Sequence, residues 1–439
     1  MAVTPPFVFT GSLARRPRGG ERLPEVVSMN RHLVLVPGFG GFDALGTLRY
    51  YEGVTRVLER TPLVLHYFPN LPTASVRTRA EQLRAFLDER WQRKVFRPGD
   101  ELHLVGHSTG GLDLRQLLHL YRELERSPNP RGEAPALKVL GHIRSVQFLS
   151  TPHRGTNLVR RMNQPLVRAL LIRPLLRACF ESARGLRERG TAASGWLLRH
   201  VLFRGKRQAS ANWIDALLDT LEGSYCDEGA YPSALARAAY FELLRWLLHM
   251  ASDSSALSDL NPERLGDAPP SPAHEDDPEG ERRFLVEHGI RYASIVTVAR
   301  PRTGRWFDLF NRLHAFTAES PVARLGPAQA VQKLLEPRSA RMLTPADNDG
   351  LVNTVSQVWP DAASSFLVDA DHADVIGHFQ ADTSEDPHGT FKRYDLLNSS
   401  SGFDALAFAE LWTRIAAFAE GRAYLEPGPT PHPLSGVSR

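Results

Sequence analysis

Between Glu101 and Leu124 a short apolar run, ELHLVG, passes through Gly106-His107-Ser108-Thr109-Gly110 into an amphipathic helical pattern starting near Gly111. A strand that becomes a helix within five residues constrains the fold strongly. The helix must run back across the sheet, and the strand that feeds it belongs to a parallel sheet covered on both faces. The glycines have a steric reason. On so tight a turn, side chains two residues either side of the serine would strike the neighbouring strand and helix, while the serine itself takes strained backbone angles. The turn lifts the Ser108 hydroxyl clear of the sheet and places the Thr109 amide at the positive end of a helix dipole.

The rest of the chain fits that geometry. Near-continuous apolar runs at 31–36, 62–68, 101–106, 143–149, 290–299 and 364–370 suit strands buried on both faces. Amphipathic patterns at 75–93, 111–124 and 403–419 supply the helices; Leu83, Phe86, Leu87 and Trp91 share one helical face. The expected architecture is α/β, a mostly parallel sheet flanked by helices. Strand-helix alternation lapses between about 158 and 285, where helical patterns at 158–189, 211–222 and 233–250 precede a Pro/Asp/Ser-rich stretch from Ala251 to Glu281. The expected organisation is an irregular arm over 1–30, a first core segment over 31–157, an inserted helical cap and loop over 158–284, a second core segment over 285–425 and a disordered tail over 426–439.

Composition narrows the class. No stretch approaches the ~18 uninterrupted apolar residues of a membrane span. Arg15, Arg16 and Arg18 precede no apolar h-region, and the two cysteines, Cys179 and Cys226, have no metal-ligand or disulfide-framework spacing. These features lead us to expect a cytoplasmic protein with free thiols. The formal charge is only +4, yet Arg154 to Arg207 carries thirteen basic residues against Glu181 and Glu188. That imbalance suits peripheral contact with an anionic lipid surface, or simply a solvated set of helices. Aromatics are not interleaved with the charges as a nucleic-acid binder would require.

Three further constellations bear on chemistry. The loop Val36-Pro37-Gly38-Phe39-Gly40-Gly41 follows the first strand, where a backbone amide can approach a developing oxyanion; Phe39 is the candidate donor beside Thr109. Its spacing fits neither a phosphate loop nor a dinucleotide fingerprint. Downstream, Asp349 lies in NDGLV and His372 in VDADHAD, in the order nucleophile, acid, base. Asp347, Asp369 and Asp371 compete for the acid, and His107, His378 and His388 for the base.

Together these motifs resemble the true bacterial lipases of the Pseudomonas and Burkholderia type, with similarity to the Bacillus thermophilic lipases, within the α/β-hydrolase superfamily. The stretch at 34–54, with Gly41-Phe42-Asp43 and Tyr50-Tyr51, is similar to that family's oxyanion segment. Arg79-Ala80-Glu81-Gln82-Leu83, the run from Leu149 to Gly155 and NDGLVNTVS at 348–356 are similar to three more of its motifs. The resemblance implies an α/β-hydrolase fold with a lid and a triad of Ser108, Asp349 and His372, with oxyanion amides from Phe39 and Thr109. It implies carboxylic ester hydrolysis through an acyl-enzyme, without a cofactor. An acyltransferase and a non-catalytic binding protein on the same scaffold are the alternatives. Pro37 stands where the family has histidine. In the family's calcium site Asp374 would be one ligand, but His378 occupies the next ligand position and no partner carboxylate is evident, so no metal is expected.

Overall fold

The computed structural model describes residues 29–41, 44–45, 48–71, 73–126, 137–159, 255–262, 277–303, 308–319, 327–379 and 395–425. The strands are β1 (Arg31–Val36), β2 (Ala44–Leu45), β3 (Leu48–Arg49), β4 (Leu63–Tyr67), β5 (Glu101–His107), β6 (Ile143–Leu149), β7 (Arg291–Val298), β8 (Gln329–Lys333), β9 (Ala340–Leu343) and β10 (Ser365–Asp369). The helices are α1 (Val54–Leu58), α2 (Val76–Gln92), α3 (Thr109–Arg126), α4 (Ser255–Asp259), α5 (Pro278–Glu287), α6 (Leu309–Ala318) and α7 (Ala405–Ala419).

Eight strands form one sheet in the order β4-β1-β5-β6-β7-β10-β8-β9; β2 and β3 pair separately. Every neighbouring pair from β4 to β8 is parallel, and β9 closes the edge antiparallel to β8. Alternation along β1 shows why its residues are almost all apolar. Leu33 and Leu35 pack on one side with Leu411, Trp412 and Ile415 of α7. Val34 and Val36 pack on the other with Leu83 and Leu87 of α2, Leu114 and Leu117 of α3 and Phe284 of α5. Each such aliphatic side chain, fully withdrawn from water, stabilises the fold by roughly 1.5–3 kcal/mol before entropy is counted.

From β1 the chain steps outward to β4, then crosses back to β5 on the other side of β1. The winding therefore reverses between β1 and β5, and the loops leaving their carboxyl ends diverge into a crevice. The predicted oxyanion loop and nucleophile turn are those two loops. Helix starts follow their sequence signals: Ser75 caps α2 by accepting from Thr78 N, Asp277 caps α5 with Pro278 in its first turn, and Asp404 caps α7.

Differences from the sequence reading are local. The Ala251–Glu281 stretch, read as loop, contains α4 and the start of α5. The hairpin β8–β9 was not expected, because its strands are half-exposed and only Val331 and Leu343 are buried in them. Most of the expected helical cap, the N-terminal arm, the tail and both cysteines lie outside the described residues. Among the described residues, no helix is long and apolar enough to cross a membrane.

Candidate active site

Ser108 sits between β5 and α3 with φ of 55°, a left-handed conformation that non-glycine residues rarely adopt. Its amide donates to Leu149 O of β6 at 2.8 Å, so the strained turn is tied to the adjacent strand. The glycines around it have no space for a side chain. A Cβ on Gly106 would lie 2.6 Å from backbone atoms of Gly110 and Gly111, one on Gly110 would strike the Val36 carbonyl, and one on Gly111 would strike the Thr151 side chain. The third glycine therefore answers to a residue beyond β6, a contact that only the fold reveals. Because α3 begins at Thr109, that amide is among the first four N–H groups of the helix, which have no intrahelical acceptor.

Asp349 and His372 come together. His372 Nδ1 lies 2.8 Å from Asp349 Oδ2, and the His372 amide donates to the Asp349 carbonyl at 3.1 Å. Asp349 is fully buried, and its charge is met by neutral donors. Leu351 N and Val352 N donate to Oδ1, while the Thr297 hydroxyl at 2.7 Å and Gln357 Nε2 at 3.0 Å reach Oδ2. Gln357 is fixed in turn by accepting from Thr297 N at 2.7 Å. The carboxylate thus presents Oδ2 to the imidazole in one orientation, and because its oxygens accept, Nδ1 carries the hydrogen of that bond. Thr297 and Gln357 were not singled out in the sequence. The available signal was a lone threonine inside the apolar run of β7.

The competing residues have other roles. Asp347 pairs with Arg341 and accepts from Thr344 N; Asp369 pairs with Lys333 at 2.8 Å. His378 Nε2 points to the Tyr50 carbonyl at 3.2 Å, and burial lowers its pKa to about 4. His388 lies outside the described residues. The ring of His107 rests 4.7 Å from that of His372, and its Nε2 lies 3.0 Å from the His372 carbonyl. His107 is therefore directed at the backbone of the His372 loop and not at Asp349. It also brings the elbow and that loop into contact, since Ser108 is the next residue.

On the other side of the crevice, Gly38 stands against the elbow: a Cβ there would lie 2.6 Å from Ser108 Cβ. The Gly38 carbonyl accepts from Gly41 N at 2.9 Å, and the Pro37 carbonyl accepts from Asn70 Nδ2 at 2.9 Å. In a trans peptide the Phe39 N–H points opposite to the Gly38 carbonyl, so that turn also sets the Phe39 amide direction.

Beyond His372, the structure supplies the partners that Asp374 lacked in the sequence. Asp371, Asp374 and Asp395 each offer a carboxylate oxygen, all within 4.8 Å of one another. Asp371 Oδ1 accepts from Ala373 N and Asp374 N, and Asp374 Oδ2 accepts from Asp371 N and Ser401 Oγ. Asp371 Oδ2 is buried and makes no hydrogen bond of good geometry, with the Ser399 hydroxyl as its nearest candidate donor. Burial and mutual repulsion raise the Asp371 pKa to about 7 and that of Asp374 well above its ordinary value. Three crowded oxygen ligands with one orphaned oxygen fit a hard divalent cation such as calcium. Such an ion would brace the loop that carries His372.

A mostly parallel sheet with a serine elbow after β5, a glycine loop at the switch point after β1 and a buried Asp–His pair beyond β7 and β10 defines the class: the chain has the α/β-hydrolase fold. No family model matches it. Among curated proteins, a stretch of 86 residues is 40% identical to a lipase of Staphylococcus epidermidis, covering 18% of this chain and 12% of that one. A stretch of 87 residues is 39% identical to lipase 1 of Staphylococcus aureus (strain NCTC 8325 / PS 47), covering 18% and 13%. The matched stretch thus spans about an eighth of the length of those relatives. Solved structures similar to the chain include Staphylococcus hyicus lipase, at 14% identity and TM-score 0.42 over 92% of this chain and 97% of that one. Another is EstA from Clostridium botulinum, at 18% identity and TM-score 0.40 over 80% and 84%.

Proposed function

We propose that the protein is a serine hydrolase of carboxylic esters, a lipase or esterase, with Ser108 as nucleophile, His372 as base and Asp349 as the acid that orients it. The observation that carries this reading is the 2.8 Å Asp349–His372 pair, set in a buried ring of donors and held against the residue preceding Ser108. Supporting it are the short lipase-like stretch of sequence and the strained serine at the head of α3.

The chemistry follows from what each group can do. His372 Nε2, left bare because Asp349 fixes the proton on Nδ1, takes the Ser108 proton as Oγ attacks the ester carbonyl. Negative charge develops on the carbonyl oxygen and is received by the Phe39 and Thr109 amides, the latter at a helix N-terminus. His372 then returns the proton to the leaving alcohol, leaving an acyl-enzyme that an incoming water hydrolyses by the same route in reverse. The Asp349 carboxylate stabilises the imidazolium in both halves. A cation held by Asp371, Asp374 and Asp395 would take no part in proton transfer; it would supply charge compensation and rigidity beside the His372 loop.

The basic segment proposed to meet anionic lipid lies almost wholly outside the described residues. The test is hydrolysis of aryl and glycerol esters across acyl chain lengths, with added alcohol and with Ser108→Ala as control. Release of free acid by the wild-type chain, abolished in the variant, is expected. Ester product in place of free acid would make the protein an acyltransferase, and no turnover of any ester would remove the reading.

A further inference from the structure

Behind the crevice lies a line of buried hydrogen bonds that the proposed chemistry does not use. Gly38 N donates to Tyr50 Oη at 2.8 Å, Tyr50 Oη lies 2.7 Å from His107 Nδ1, and His107 Nε2 lies 3.0 Å from the His372 carbonyl. Tyr50 is 8% exposed and His107 1% exposed, so bulk water does not compete for these bonds. The donors and acceptors can be assigned without ambiguity. A carbonyl oxygen only accepts, so His107 Nε2 carries a hydrogen. Burial and the neighbouring His372 ring keep the His107 imidazole neutral, so Nδ1 is bare and must accept. The Tyr50 hydroxyl therefore gives its one proton to His107 and uses a lone pair for Gly38 N–H. Every bond runs in one direction, from the oxyanion loop through the elbow to the base.

The two ends of this line are backbone groups next to the proposed catalytic atoms. At one end, Gly38 is held by its amide through Tyr50 and by its carbonyl through Gly41, so the peptide bearing the Phe39 amide is anchored on its Gly38 side. At the other, His372 is held at three points: its amide and Nδ1 by Asp349, its carbonyl by His107. We propose that Tyr50 and His107 are positioning residues that hold the oxyanion loop, the nucleophile turn and the base loop in one register. Removing either link lets the Phe39 amide and the His372 imidazole drift relative to Ser108. A drift of under an ångström between a donor and a transition-state oxygen is enough to lower the chemical rate while leaving substrate binding nearly as it was.

This inference rests on the hydrolase reading, and its test separates the two. The wild type, Tyr50→Phe, His107→Leu, His107→Gln and the Tyr50→Phe/His107→Leu double variant are compared in aryl-ester turnover. Rates are expressed per site titrated with an aryl phosphonate, so that misfolded protein does not count. Tyr50→Phe is expected to lower kcat about 10- to 100-fold with KM changed less than threefold. The double variant should lose no more than the worse single, because the bonds act as one unit. His107→Gln keeps an N–H donor near the position of Nε2 and should recover part of the loss seen in His107→Leu. Overturning results are unchanged kcat per titrated site in Tyr50→Phe, a loss confined to KM, multiplicative effects in the double variant, or a His107→Gln variant no better than His107→Leu. A wild type that turns over no ester would remove the hydrolase reading and this inference with it. An active wild type matched by Tyr50→Phe would remove the inference alone.

Discussion

Asp349 is a buried carboxyl whose hydrogen-bond partners among the described residues are backbone amides, a hydroxyl, a side-chain amide and an imidazole, and these hold it in one orientation. Of those donors, the Thr297 hydroxyl is the most informative to remove. It can also reach Ser150 Oγ at 2.9 Å and Gln357 Oε1 at 3.1 Å, but its single proton is best directed at the charge 2.7 Å away. A hydrogen bond to a charged group is worth ~1.5–3 kcal/mol. Thr297→Val keeps the shape of the residue and removes only that donor. It is expected to lower kcat/KM about tenfold, equivalent to ~1.4 kcal/mol of transition-state stabilisation, with little change in Tm. Wild-type kcat/KM in this variant would show that the donor has no catalytic weight. At this scale the candidate residues were legible where they come in a local motif: Ser108 within its glycines, Asp349 before Gly350, His372 just past a strand. Thr297 and Gln357 were not legible, because only the packing of β7 against the 354–357 turn turns them toward the acid.

Helices α2 and α3 are joined behind the elbow by a fully buried ion pair. Arg79 Nε and Nη2 donate to Asp113 Oδ1 at 3.0 and 2.8 Å, and Nη2 also reaches the Thr109 carbonyl at 3.3 Å. Removing one partner leaves the other charge stranded, so Arg79→Leu is expected to destabilise the protein by about 3 kcal/mol, moderated by protonation of Asp113. Urea unfolding would measure it, and a loss under ~0.5 kcal/mol would mean that the pair behaves like a surface one. The acidic group belongs to the same scale, since Asp371 and Asp374 flank the loop after β10 while Asp395 reaches in from a separate segment. Millimolar calcium is expected to raise Tm by several degrees, an increment that disappears in Asp395→Asn, because binding to the folded state alone stabilises it. Equal Tm in calcium and in EDTA would exclude a bound ion. No partner carboxylate for Asp374 was evident in the sequence, because only the fold brings Asp395 beside it. Elements with strong periodicity, such as β1, β6 and α2, were legible to within a residue or two. The half-exposed hairpin β8–β9 lacked the apolar runs that mark strands buried on both faces.

For the whole molecule, burial of imidazoles sets a limit on the acid side. Desolvation lowers His66 and His103 to about 4 and His153 well below its ordinary value. A histidine whose folded pKa is depressed contributes stability above its unfolded value of about 6.5 and loses it as pH falls toward the folded one. These rings therefore withdraw stability as pH falls from about 6.5 to 4, while the buried carboxyls of Asp371 and Asp374, whose pKa values are raised, work in the opposite direction; an NMR pH series in which the His66 or His103 ring titrates as a free imidazole would contradict their burial. The architecture as a whole could be read from one turn, because a strand that passes through a glycine-bounded serine into a helix is compatible with few sheets. The residues from 160 to 254, most of those expected to form a helical cap, lie outside the described residues. Activation of Ser108 as a nucleophile by the His372–Asp349 pair can be tested by covalent labelling. After incubation with an aryl phosphonate, intact mass should rise by one phosphonyl group, peptide mapping should place it on Ser108, and His372→Ala should slow labelling by orders of magnitude. Labelling at another residue, or an unchanged rate in His372→Ala, would remove Ser108 and His372 from these roles.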